Sequence, residues 1–191
     1  SFDEMYLYLP VEVLTAVMLK HQKYFPVYGK KNLLLPFFLV VINGNEDQYT
    51  KSIVYGNERV LKARLEDAKF FYQEDQKLTK SGLKPLDNNI EKLNNVIFQE
   101  GLGTVFDKVS RLITLSQKIG IELGLDSETL KILKRATQLC KSDLVTEMVK
   151  EFPELQGIMG REYALLQGEV SQVAIPIFEQ YLPRFSGDNF P

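Results

Sequence analysis

Apolar and polar positions change rhythm along this chain. Glu4 to Leu9 alternates as Glu-Met-Tyr-Leu-Tyr-Leu and predicts a short strand. Pro10 then opens a helix, where its missing N–H costs nothing. Val11, Leu14, Val17 and Met18 form that helix's apolar stripe. Tyr24 to Tyr28 predicts a strand interrupted by Pro26, hence an edge or a bulge. Gly29-Lys30-Lys31-Asn32 reads as a turn. Leu33 to Ile42 is almost continuously apolar, which predicts a central strand covered on both faces. Asn43-Gly44-Asn45 ends it, and Ile53-Val54-Tyr55 predicts a further short strand. Asn57 is placed as the N-cap of a long helix with Leu61, Leu65, Ala68 and Tyr72 at helical spacing, packed on the sheet.

Lys77 to Asn88 has no apolar period and holds Gly82 and Pro85, so it reads as a linker or loop. From Asn89 onward the pattern is helical throughout. Ile90, Leu93, Val96 and Ile97 mark one helix, and Val105, Val109, Leu112, Leu115 and Ile119 a second. Leu130, Leu133, Ala136, Leu139 and Cys140 mark a third, and Asp143 to Lys150 a fourth, ended by Pro153. Ile158–Leu166 and Val173–Tyr181 complete the set. Mixed structure first and helices second predict an α+β fold in two units. Residues 1–86 form a small α/β unit with a short mixed or antiparallel sheet, and residues 87–191 an all-helical unit.

Composition narrows the classes. Hydrophobic content of 45% and charged content of 25% suit a globular core. No run of about 18 apolar residues predicts a membrane span. The acidic start, Ser1-Phe2-Asp3-Glu4-Met5, does not read as a signal peptide. Its lack of an initiating Met predicts a piece of something longer, or a processed chain. The single cysteine, Cys140, lies on an apolar helix face and reads as a small buried hydrophobe in a reducing compartment. The formal net charge of −2 is not the footprint of a self-sufficient nucleic-acid binder, so any RNA contact rests on local patches.

Three groups of side chains invite a chemical reading. His21 and Lys23 either reach a phosphate or base, or sit where a helix C-terminus favours cations. Arg59, Lys62 and Arg64 share one long helix, with Arg59 and Lys62 on a common face. They either form a phosphate-contacting ridge or a solvated face laced with pairs such as Glu58–Lys62. Asp143, Glu147 and Glu151 would stack on one continuous helix, as metal ligands or as an acidic face. No Gly-x-x-x-x-Gly-Lys-Ser/Thr is present, and Gly101-x-Gly103 reads as a helix break.

Together, several runs carry a resemblance. They are His21-Gln22-Lys23-Tyr24-Phe25, Gly56-Asn57-Glu58-Arg59-Val60-Leu61, Arg64-Leu65-Glu66-Asp67-Ala68, Lys141-Ser142-Asp143-Leu144-Val145-Thr146-Glu147-Met148-Val149 and Glu151-Phe152-Pro153-Glu154-Leu155-Gln156-Gly157. The set resembles the β subunit of bacterial glycyl-tRNA synthetase, from about Leu9-Pro10 to Gly187-Asp188. The resemblance implies an internal fragment of a cytoplasmic, heterotetrameric enzyme. That enzyme joins glycine to its tRNA through a glycyl-adenylate, using ATP with Mg. The implied partners are the α subunit, which resembles the catalytic class II core, and tRNA(Gly), with neither membrane nor DNA. The fragment itself is expected to be non-catalytic and without a cofactor. His21, Lys23, Arg59, Lys62 and Arg64 are expected to serve tRNA binding or packing.

The helical part also looks like a domain of the HD phosphohydrolase type. Asp143 falls where such a hydrolase has its His-Asp pair, but Ser142 precedes it. The chain's one histidine, His21, lies in the other unit, so the metal set of an active HD hydrolase cannot be assembled. That activity and a purely structural module stand as the alternatives.

Overall fold

The computed structural model describes residues 1–43 and 49–191, and of His21, Leu78 and Lys80 the backbone only. The fold is α+β, and the chain divides into two compact units, Ser1–Glu74 and Asp75–Pro191. This division falls before the 86/87 boundary read from the sequence. Residues 77–88 are not one loop: the long helix α2, Thr50–Lys80, continues into them, and α3, Pro85–Lys92, starts at their far end.

The first unit starts with a 3-10 helix, Glu4–Tyr8, in place of the expected strand. Asp3 caps it, its carboxylate accepting from Met5 N at 2.9 Å. Tyr6 is buried and donates its hydroxyl to Glu66 at 2.5 Å, while Met5 and Tyr8 stay exposed. Alternation there reflects one inward ring on a tight turn. Helix α1, Val11–Ala16, follows Pro10 as expected and runs into a π-helical turn, Val17–His21.

Strands β1, Phe25–Tyr28, and β2, Leu34–Leu39, pair antiparallel, with a bulge between Pro26 and Tyr28. The bulge bears out the reading of Pro26. The central position expected for 33–42 does not hold, because among the described residues its sheet has two strands, and Phe37 and Leu39 are exposed. The stop expected at Asn43-Gly44-Asn45 lies partly outside the described residues.

Ile53-Val54-Tyr55 is helical, and Asn57 lies inside α2 rather than at its cap. A tertiary contact holds the Asn57 amide: it accepts from Tyr24 Oη at 2.6 Å and donates to Ile53 O at 2.8 Å. The expected stripe, Leu61, Leu65, Ala68 and Tyr72, is buried, as are Val13, Leu14, Val17, Met18 and Tyr24.

The second unit is mostly helical but not wholly so. After α3, a 3-10 turn, Leu93–Asn95, leads into a hairpin of β3, Ile97–Gln99, and β4, Gly103–Thr104. The helix expected through Val96 and Ile97 therefore ends early. Gly101 and Gly103 take φ of 78° and 83°, the left-handed values a tight hairpin requires, and Ile97 is exposed. Helix α4, Val105–Glu122, begins at a capping box between Thr104 and Asp107, and α5, Ser127–Leu139, at Asp126. The fourth expected helix is broken. Ser142–Val145 is a 3-10 turn, and Thr146, extended, caps a separate α6, Glu147–Glu151. Helix α7, Ile158–Leu166, has the expected bounds, and α8, Ser171–Glu179, lies two residues earlier than expected at each end. Cys140 is buried against Leu93, Val105 and Val109.

Candidate functional site

Arg59 and Lys62 lie three residues apart on α2 and line one open cleft of about 750 Å³, with Asp3, Tyr6, Tyr55, Glu58 and Glu66 among its walls. Both cations are exposed. One carboxylate on the same ridge is engaged: Glu66 accepts from Tyr6 at 2.5 Å and meets Lys69 at 3.4 Å. Hydrogen bonding by Tyr6, then the nearby ammoniums of Lys69 and Lys62, hold the Glu66 carboxyl below its ordinary range. The cleft thus offers two cations beside Glu66, an acid that already has partners, with Asp3 and Glu58 also on its walls.

The other residues singled out from the sequence are placed differently. Arg64 is half-buried and does not line that cleft. A helix turns about 100° per residue, so five positions carry Arg64 well round from Arg59. Lys23 is exposed, with φ of 57°, just after the π-helical turn. The next residue, Tyr24, donates its N–H to Met18 O at 2.9 Å and stacks on Phe38 at 4.9 Å. His21 ends the π-helical turn, and its side chain lies outside the described residues.

Asp143 is the clearest departure from expectation. It does not stack with Glu147 and Glu151, because the chain turns at Thr146. Its carboxylate is fully buried and Oδ2 accepts from Gly157 N at 2.6 Å and from Gly160 N at 3.2 Å. Those N–H groups belong to the N-cap and third positions of α7, whose cap residue is a glycine without a side chain of its own. Asp143 therefore caps α7 from a distance of fourteen residues, in the field of that helix's positive end. Both donors are glycines. A Cβ on Gly160 would stand 3.0 Å from Asp143 Oδ2, and one on Gly157, at φ of 80°, would stand 2.5 Å from the Tyr181 ring. Oδ1 has no hydrogen-bond partner among the described residues, and burial pushes the carboxyl up to about 6. Glu147, by contrast, pairs at the surface with Lys150 at 2.7 Å.

Two further polar clusters in the second unit had no signature in the sequence. Arg135 on α5 grips Asp87 with both terminal nitrogens at 2.6 and 2.7 Å and also pairs with Glu169, which Lys84 approaches at 3.5 Å. Asp75 accepts from Glu147 N and Met148 N, the first turn of α6, at 2.8 and 3.0 Å, and from Tyr163 Oη at 2.9 Å. Burial pushes its carboxyl up, against the pull of these hydrogen bonds. All these partners are far apart in sequence, so no spacing announces them. Gly157, the cap of α7, is the one feature of the sequence that bears on Asp143: a helix start without Ser, Thr, Asp or Asn leaves its N–H groups open to a donated cap.

Among the described residues, no cluster of three or more His, Cys, Asp or Glu side chains is placed to hold a metal ion. Nor is any helix among them long and apolar enough to cross a membrane.

The comparisons with known proteins agree along the whole chain. The family model described as the glycyl-tRNA synthetase beta subunit matches residues 1–191. The chain is 50% identical over 191 residues to proteins named glycine–tRNA ligase beta subunit from Halothermothrix orenii and Shouchella clausii. It is 48% identical to the one from Bacillus subtilis over 191 residues. In each case the match takes in 100% of this chain and 27% of the relative. The chain therefore spans about a quarter of the length of these curated relatives. A match of this extent, with the sequence runs noted above, settles membership: the chain belongs to the glycyl-tRNA synthetase beta-subunit family.

Proposed function

We propose that this chain is part of the β subunit of a glycine–tRNA ligase. The complete cytoplasmic enzyme, with its α subunit, attaches glycine to tRNA(Gly) using ATP with Mg. In that enzyme this part gives support rather than chemistry. The observation that carries the reading is the family match over all 191 residues. Two features of the residues fit it. Arg59 and Lys62 form an exposed pair of cations suited to phosphate, and phosphate contacts position a nucleic acid without reacting with it. Asp143, the residue at the HD-type position, has its carboxylate committed to the N-terminus of α7. That is a folding role, and Ser142 beside it offers no imidazole for a hydrolase metal. We read the second unit as an HD-like scaffold on these grounds, with residues 87–191 as its helical body.

The test uses the full-length subunit assembled with its α subunit. Replacing Arg59 and Lys62 together with Ala should raise the Kd for tRNA(Gly) about tenfold and leave glycine-dependent ATP–pyrophosphate exchange near wild type. Adenylate formation needs only the small-molecule pocket, whereas tRNA affinity draws on each phosphate contact. Unchanged tRNA affinity in a folded double variant would show that this ridge is packing surface. Loss of exchange together with tRNA binding would place the chain in the chemistry.

A further inference from the structure

The second unit disposes of its charges unevenly. Arg135, Lys84, Lys150, Arg161 and Arg184 each have a carboxylate within 4 Å. Other cations, Lys131 and Lys134 on α5 and three on α4, have no ion pair among the described residues. Those on α4, Lys108, Arg111 and Lys118, project on one side of the helix, spaced three and seven residues apart. Positions at 0, 3 and 10 residues lie within about 80° of one another on a helix and span about 15 Å of its length. Arg111 and Lys118 are exposed and, with Ser110, Thr114 and Leu115, line a shallow cleft of about 380 Å³.

Two acids share α4 with its three cations, Asp107 and Glu122, so the helix keeps a positive balance, and one of the acids is turned to other work. Asp107, one turn before Arg111, accepts from Thr104 N at 2.8 Å and from Thr104 Oγ1 at 3.0 Å in the capping box. An aromatic ring stands at the other end. Lys108 Nζ lies 3.9 Å from the centre of the Phe98 ring, on a hairpin whose Ile97 and Leu102 are exposed. Lys141 is nearby but engaged, its Nζ donating to Tyr181 Oη at 2.8 Å. Burial, and to a lesser extent the neighbouring ammonium of Lys108, hold its own ammonium below the ordinary range. Unpaired exposed cations contribute little to stability. Grouped on one face, beside an open aromatic edge, they make a surface that a line of phosphates would neutralise.

We infer that the outward face of α4, carried by Lys108, Arg111 and Lys118 beside Phe98, is a second RNA-backbone contact surface, separate from the Arg59–Lys62 ridge. It rests on the proposed role of this subunit in tRNA binding and extends it to a unit for which the sequence suggested only scaffold. The occupant is the phosphodiester backbone. The hydroxyls of Ser110 and Thr114 already donate to Phe106 O and Ser110 O, so the polar contacts fall to the cations, with Leu115 and Phe98 exposed beside them for sugar and base faces. Because backbone contacts carry no sequence information, this face contributes affinity and orientation, not choice of tRNA.

The experiment measures tRNA(Gly) binding to the assembled enzyme across a salt series. Three forms are compared: wild type, Lys108→Ala/Arg111→Ala/Lys118→Ala, and Arg59→Ala/Lys62→Ala. Loss of three phosphate contacts should flatten the plot of log K against log salt by about two to three units. Affinity near physiological salt should fall about 10- to 100-fold, equally for tRNA(Gly) and for a non-cognate tRNA. The charge-keeping set Lys108→Arg/Arg111→Lys/Lys118→Arg should restore the slope. If the triple variant melts early, Arg111→Ala/Lys118→Ala removes exposed side chains only, and a slope loss of about one to two units is then expected. A wild-type slope in a folded α4 variant, with the α2 variant still weakened, overturns this inference and leaves the tRNA role of the subunit standing. Wild-type binding in both variants counts against both readings. Intact tRNA binding with loss of α-subunit association would assign the face to an acidic protein surface and also overturn the inference.

Discussion

Asp143 makes its own stability prediction. The side chain is fully buried, and burial pushes its carboxyl up to about 6 in the fold against about 3.9 in an unfolded chain. Burial is the largest cause, only partly offset by the N–H groups of Gly157 and Gly160. Between these two values the folded chain binds more protons at this position than the unfolded one. Stability contributed by protonation is therefore fully present below about pH 4 and lost as pH rises through about 6. Integrating a two-unit shift from neutral pH down to about pH 4.5 gives roughly 2 kcal/mol. Asn is the informative substitution. Its amide oxygen can accept from the same two N–H groups, its NH2 occupies the place of the unpartnered Oδ1, and it does not titrate. Chemical denaturation of wild type and Asp143→Asn should be run at about pH 7 and about pH 4.5. The stability difference should move by roughly 2 kcal/mol in favour of wild type at the lower pH. Asp75, whose carboxyl burial also raises, and Glu169, which Arg135 lowers, act alike in both variants and cancel in the difference. A gap that stays constant with pH, within a few tenths of a kcal/mol, would mean that Asp143 does not change its protonation in this range.

Two further outcomes follow from the same unit. Gly157→Ala combines a left-handed φ of 80° with a Cβ 2.5 Å from the Tyr181 ring, so it should cost about 2 kcal/mol or more in thermal or chemical unfolding. An unchanged midpoint would mean that the Tyr181 ring moves freely. Arg135→Ala leaves Glu169, at 9% side-chain exposure, without its strong partner and should destabilise by about 2–3 kcal/mol, while Arg135→Lys should recover only part because the forked grip on Asp87 is lost. Equal stability of the Lys and wild-type forms would show that charge alone matters there.

The helices read best from the sequence were those whose apolar residues face a core in their own unit. The buried stripe Leu61, Leu65, Ala68 and Tyr72, the span of α7 and, to within two residues, that of α8 follow from 3.6-residue periodicity alone. The failures share a cause. Ile53-Val54-Tyr55 and Leu33 to Ile42 look like strand interiors because β-branched and aromatic residues cluster there, yet Val54, Tyr55, Phe37 and Leu39 are exposed. An apolar run records that a segment has somewhere to bury itself only when the covering surface belongs to the same chain segment. The hairpin at Ile97–Thr104 was hidden for the opposite reason: Val96 and Ile97 continue a helical spacing by accident, and the glycines that end it are two backbone angles, not a pattern.

Function is harder to read than fold for a reason Asp143 makes plain. A carboxylate in a helical stretch, next to Ser142 and four residues before Glu147, has the spacing of a metal ligand, a surface acid or a cap. Spacing cannot separate these, because each role is decided by what lies at the oxygens. Here the answer is set by the N–H groups of Gly157 and Gly160, and at Gly160 the missing Cβ leaves the carboxylate room to approach the helix end. The same logic separates the cations. Arg135 and Lys118 lie on neighbouring helices, α5 and α4. One is consumed by Asp87 and Glu169, and the other is left facing solvent with its neighbours on α4. A positive side chain whose counter-charge has been used elsewhere in the fold remains available to a partner outside it, and that difference is written in tertiary contacts alone.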